Sequence, residues 1–139
     1  MVRVGPAGWV YEDWKGIVYP ARMPRSLHPL TYLSEFFDTV EINVSFYRLL
    51  EPRFGVAWMG KVAGNSRFRF TAKLWKRFTH DRDTAPSETE FRQCRDGLLP
   101  MLREGKLGVV LVQFPWSFRR TDENRVWLAD VLDRFSEFP

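Results

Sequence analysis

At 139 residues and 16.5 kDa, with 45% hydrophobic and 16% aromatic residues, the chain holds enough apolar material for one ordinary core, which excludes an intrinsically disordered segment. One cysteine, Cys94, excludes an internal disulfide, and no apolar run approaches bilayer-spanning length, so the expectation is a reduced, soluble, cytoplasmic protein with no membrane partner. The formal charge of +4 is concentrated between Lys61 and Arg82, where Lys61, Arg67, Arg69, Lys73, Lys76, Arg77 and Arg82 face one acid, Asp81; such a local excess suits an anionic ligand or nucleic acid, although a solvated basic face would read the same.

Met1 to Gly5 is expected as a first strand, and Gly5-Pro6-Ala7-Gly8 as a tight loop whose glycines permit close approach. The following stretch to Pro20 carries Trp9, Tyr11, Trp14 and Tyr19 without a period of two or 3.6, which reads as an ordered aromatic loop. It could stack on a sugar or base, or plug one end of the core. From His28 to Phe37, apolar residues at Leu30, Leu33, Phe36 and Phe37 after Pro29 predict an amphipathic helix, with His28 as ordinary surface.

Asp38 to Arg48 organises the rest. As a strand it sends Val40, Ile42 and Val44 to one face and Thr39, Glu41, Asn43 and Ser45 to the other. Strands of α/β proteins are usually covered on both sides, so a carboxylate at this strand's centre needs a partner or a ligand. A second helix is predicted from Pro52 to about Ala63, a third strand over Arg67–Lys73, and a third helix opening on the capping box Ser87-Glu88-Thr89-Glu90 and interrupted near Pro100. Gly108 to Phe114 is an almost continuous apolar run that suits a strand covered on both faces, and Glu123 to Phe135 is a last amphipathic helix.

The order is strand then helix four times. Such repeats imply an α/β fold with a parallel sheet and right-handed crossovers, and four β/α units are half of a TIM-type barrel, whose full length is ~250 residues. Residues 1–139 are therefore read as one domain, a half-barrel.

The residues also resemble a known family. Gly8-Trp9 with Tyr11, Asp13-Trp14, Gly16 and Tyr19-Pro20, then Val40-Glu41-Ile42-Asn43, Phe46-Tyr47, Phe68-Arg69-Phe70 with Lys73, Thr79-His80, and Gln113-Phe114-Pro115, are similar in order to the YecE-like family, domain of unknown function 72. The resemblance implies a TIM-type barrel of which this chain is the N-terminal half, a C-terminal truncation of the full length. It implies no reaction.

If helices cover the outside of such a barrel, the polar alternates Arg3, Glu41, Asn43, Arg69, Thr71, Lys73 and Gln113 point into the lumen. Barrel sites lie at the C-terminal strand ends, which selects Asn43, Lys73 and Gln113 as ligand contacts, with Trp9, Trp14 and Tyr47 as aromatic ones. Glu41 and His80 are the candidate catalytic proton carriers, although Glu41 could equally neutralise Arg3, Arg69 or Lys73, and His80 could be an exposed loop residue beside Asp81. No metal motif, dinucleotide motif or P-loop is present, so no cofactor is assigned. Three readings follow: a barrel-mouth site for an anionic small molecule such as a phosphorylated sugar or nucleotide, a nucleic-acid surface along residues 73–78, or an inactive fragment. Because a half-barrel leaves open edges, self-association is expected.

Overall fold

The computed structural model describes residues 2–139. Two short alternating runs and one apolar run form the strands β1 (Thr39–Ile42), β2 (Arg69–Lys73) and β3 (Leu107–Leu111), which pair in parallel in that order. Five helices accompany them: α1 (Pro29–Leu33), α2 (Val44–Tyr47), α3 (Pro52–Lys61), α4 (Glu88–Arg103) and α5 (Asp122–Arg134). Single 3-10 turns occur at Glu12–Trp14 and Lys76–Phe78.

Local chemistry explains most boundaries. Proline opens α1 and α3, where a missing N–H costs nothing, and the Ser87–Glu90 capping box opens α4 with both reciprocal bonds made. Thr121 caps α5 by accepting from Asn124 N–H at 3.2 Å. His28 does the same for α1: its Nδ1 accepts from Leu30 N–H at 3.1 Å, so this half-buried residue is a helix cap and not ordinary surface.

Four expectations are corrected. The segment from residue 2 to Gly5 is not a strand, and Met1 lies outside the described residues; pairing starts later, where Glu41 N–H donates to Pro6 O at 3.0 Å and Gly8 N–H to Glu41 O at 2.9 Å. Val2 and Val4 are 90% and 73% exposed, so their side chains find no packing against the sheet, and Pro6 has no N–H to extend the ladder. The central strand stops at Ile42, and Val44 starts α2 instead of continuing the alternation. Pro100 does not interrupt α4, which runs through it because Leu98 and Met101 on either side are anchored in the core. β3 ends at Leu111, and its apolar run is not covered on both faces: Val109 is 46% and Leu111 38% exposed.

The sheet is two-sided in chemistry. Val40, Ile42, Phe70 and Ala72 are fully buried against Leu30, Leu33, Leu98 and Met101 on the helix-covered side, and each large side chain there contributes about 1.5–3 kcal/mol. A second cluster, Leu74, Phe78, Phe91, Cys94, Val131 and Phe135, joins the turn after β2 to α4 and α5. Thr39, Glu41, Thr71, Lys73, Val109 and Leu111 lie on the opposite, open side, as the register Glu41↔Thr71, Thr71↔Val109 and Lys73↔Leu111 requires. Two glycines permit close crossings: a Cβ on Gly5 would sit 1.8 Å from Thr39 O, and one on Gly97 would sit 2.3 Å from Leu50 O.

Candidate functional site

The site is built where β1 and β2 end. Ser45, buried at the start of α2, has its Oγ 2.6 Å from both Ile42 O and Lys73 O, so it ties the two strand ends together. Glu41 and Lys73 project from these neighbouring strands onto the open side, with Lys73 Nζ 3.6 Å from Glu41 Oε1. Their side chains are about a fifth and a quarter exposed (21% and 25%), which leaves the pair reachable by a small molecule. Neither of the other two cations considered for Glu41 forms an ion pair with it among the described residues. Arg69 folds back to Ser66 O and Phe68 O, and Arg3 is exposed on the rim of a hollow of about 390 Å³ that Glu41 also lines.

Trp9 and Asn43 meet in a second cleft of about 380 Å³, between the aromatic loop, α2 and α3. Its walls are Trp9 at 77° to Trp58 with centroids 5.1 Å apart, and Phe54 stacked on Trp58 at 5.9 Å. Arg48 lines the same cleft and forms no ion pair among the described residues. Trp14 belongs to the core instead: it packs on Tyr11 at 4.7 Å and Tyr19 at 5.8 Å, while Tyr19 Oη donates to Trp9 O at 2.7 Å. The aromatic loop is thus a plug at Trp14 and Tyr19, and a cleft wall at Trp9. Burial, then Tyr11, pushes the Tyr19 phenol up to about 12, so its hydroxyl stays a donor.

The remaining candidates are scattered. His80 is exposed, its Nδ1 2.9 Å from Thr79 Oγ1 and its ring edge-on to Phe46 at 5.0 Å. Asp81 pairs with Lys76 at 3.0 Å, and no hydrogen bond or ion pair joins His80 to Glu41 or Asp81 among the described residues. Tyr47 is 65% exposed beside Phe46, and Gln113 is exposed beyond the end of β3. Arg48, Phe54, Trp58 and Ser45 are the residues that sequence reasoning missed. Arg48 is the sole cation of the Asp38–Arg48 stretch, and Phe54 and Trp58 stand four apart on one helix face; both signals were legible.

The basic-aromatic segment is not a free surface. Lys73 is paired with Glu41, Lys76 with Asp81, and Arg77 with Glu90 at 2.9 Å, while Leu74 and Phe78 are buried and Trp75 packs on the second core. Among the described residues no three His, Cys, Asp or Glu side chains gather as a metal site, and no helix is long and apolar enough to cross a membrane.

Comparison with known proteins places this architecture. The family described as "Protein of unknown function DUF72" matches residues 3–139. The chain belongs to that family. It is 29% identical over 143 residues to the UPF0759 protein YunF of Bacillus subtilis (strain 168), covering 100% of this chain and 49% of YunF. The crystal structure of a DUF72 family protein from Thermotoga maritima MSB8 superposes with a TM-score of 0.78 at 30% identity, covering 100% of this chain and 53% of that one. A DUF72 family protein from Enterococcus faecalis V583 gives 0.80 at 22% identity, covering 49% of its length, and shares the fold. This DUF72 chain therefore spans about half the length of the relatives it matches.

Proposed function

We propose that this DUF72 chain forms four β/α units of an eight-unit TIM-type barrel, and that the strand-end mouth binds an anionic small molecule such as a phosphorylated sugar or a nucleotide. The unit count rests on the Ala7↔Glu41 bridge, which adds a fourth parallel segment beside β1, and on Val110 N–H donating to Pro139 O at 2.7 Å, where the chain returns to the free edge of β3. The ligand reading rests on one observation: Asn43 and Lys73 stand at the ends of adjacent strands, and Asn43 lines the Trp9 cleft. Lys73 offers the anion a charge, Asn43 orients polar groups, and Glu41, 3.6 Å from Lys73, is the group best placed to exchange a proton.

The test is a thermal-shift and calorimetric screen of phosphorylated sugars and nucleotides. Lys73→Ala should weaken any hit about tenfold or more, while Lys76→Ala, which removes a cation already paired with Asp81 at 3.0 Å, should change it little. Equal losses with a steep salt dependence would favour the nucleic-acid reading, to which the internal pairing of residues 73–78 lends no support. A screen without hits would favour the inactive fragment.

The open sheet side also needs a cover. Val109 and Leu111 are exposed there, and two copies of this chain supply about the length of one relative. We infer that a second copy is the occupant, closing a pseudo-barrel across this face.

A further inference from the structure

We propose that the cleft between the aromatic loop and α3 is a subsite for a ring-bearing phosphate, of the nucleoside monophosphate class, with Arg48 as its anion grip. The inference rests on the mouth reading above and narrows it from anions in general to one kind of anion.

Three observations carry it. The cleft, about 380 Å³, falls within the ~300–1,000 Å³ of small-molecule pockets and is large enough for one base and sugar. Its walls are aromatic on two sides, with Trp9 from the loop and the stacked Phe54–Trp58 pair from α3, so a flat ring gains more from entering than a sugar ring does. Two of its polar side chains, Asn43 and Arg48, make no side-chain hydrogen bond or ion pair within the protein among the described residues, in contrast to Lys73, Lys76, Arg77, Arg95 and Arg134, each paired with an acid. An unpaired guanidinium beside an apolar hollow presents a planar fork to a phosphate, and a free amide can read the edge of a base by donating and accepting at once. Tyr11, the other polar side chain on this wall, is already used, since its hydroxyl donates to Ala7 O.

The chain's own backbone places the two groups. Asn43 follows β1 and stands at the cap position of α2, and Arg48 follows its last turn, donating its N–H to Val44 O at 3.2 Å. The four-residue α2 therefore sets the spacing between amide and guanidinium, and Ser45 fixes α2 to both strand ends.

The experiment is equilibrium titration of the 139-residue protein, followed by tryptophan fluorescence and calorimetry, with adenosine 5′-monophosphate, adenosine, ribose 5-phosphate and inorganic phosphate as probes. The nucleotide should bind at least about tenfold more tightly than each of the other three, and should quench fluorescence. Arg48→Ala, a change at an exposed position, should weaken nucleotide binding about 10- to 100-fold without shifting adenosine binding or the melting temperature. Arg48→Lys should restore part of it, because a point charge replaces the fork. Equal binding of ribose 5-phosphate and the nucleotide, with the loss on Lys73→Ala and none on Arg48→Ala, would overturn this subsite while leaving the mouth reading intact. Absence of binding by all four probes would overturn both.

Discussion

Glu41 and Lys73 share an environment between surface and core, and that decides what their pairing is worth. Fully exposed pairs contribute ~0–1 kcal/mol, and breaking a fully buried one costs ~3–5 kcal/mol. With side chains 21% and 25% exposed, Lys73 can recover part of its hydration when its partner is removed. Glu41→Leu should therefore lower unfolding free energy by about 1 kcal/mol in a denaturant titration, and unchanged stability would mean that the pair contributes no net stability. Arg3 and Arg69 were equal candidates in sequence; the parallel register sets Glu41 opposite Thr71 and one pleat from both Arg69 and Lys73, and Lys73 becomes the partner because Arg69 turns back to Ser66 O and Phe68 O. Cys94 shows the opposite extreme: burial pushes its thiol up to about 12, so it is a packing residue of the second core and not a nucleophile.

At the scale of the element, α1 depends on an unusual cap. His28 is held below its ordinary 6.5, first by burial and then by Lys61, and only the neutral ring can accept from Leu30 N–H. Because the folded-state pKa is depressed, the stabilisation is complete above the unfolded-state value of 6.5 and is lost as pH falls below it through the folded value. Stability should decline as pH falls below about 6.5, and His28→Asn, which caps without titrating there, should flatten that limb of the curve. The long helix α4 depends on a crossing instead. Alanine is about 1 kcal/mol better than glycine inside a helix, yet at Gly97 its Cβ would lie 2.3 Å from the Leu50 carbonyl, a backbone atom that cannot swing away. Gly97→Ala should thus destabilise by ~1–3 kcal/mol, and a rise in melting temperature would show that the chain after α2 yields easily.

For the whole molecule, the question is what covers the open side of the sheet. The β3 edge is partly satisfied, since Val110 N–H reaches Pro139 O, but Val109 and Leu111 remain on the uncovered face. If a second copy closes this face, light scattering on the 139-residue protein should show a two-chain species that dissociates on dilution, and Val109→Lys should shift it to monomer without unfolding it. A cooperative monomer at high concentration would mean that the chain tolerates its own open face. That outcome would leave the mouth chemistry untouched, because Asn43, Arg48 and Lys73 are all supplied by one copy.

Most helix starts were readable from the residues alone, because helix caps and prolines act within a few positions of one another: Pro29, Pro52, Ser87 and Glu90 mark their helix starts with no help from distant residues. The sequence by itself also determined which face of β1 and β2 is apolar, since a period of two leaves no choice once a strand forms. Tertiary structure alone decided what depends on residues far apart in the chain. Whether residues 2 to 5 form a strand rests on packing that Val2 and Val4 do not find; whether Pro100 breaks α4 rests on the core around Met101. Which cation meets Glu41 follows from side-chain direction after the strands pair, since Arg69 and Lys73 are both one pleat away and only Lys73 turns toward it. The cleft itself joins Trp9, Asn43, Arg48 and Trp58 from four segments, and the signals that Arg48 and Trp58 carry in sequence point to a shared site only once β1, α2 and α3 are folded against the aromatic loop.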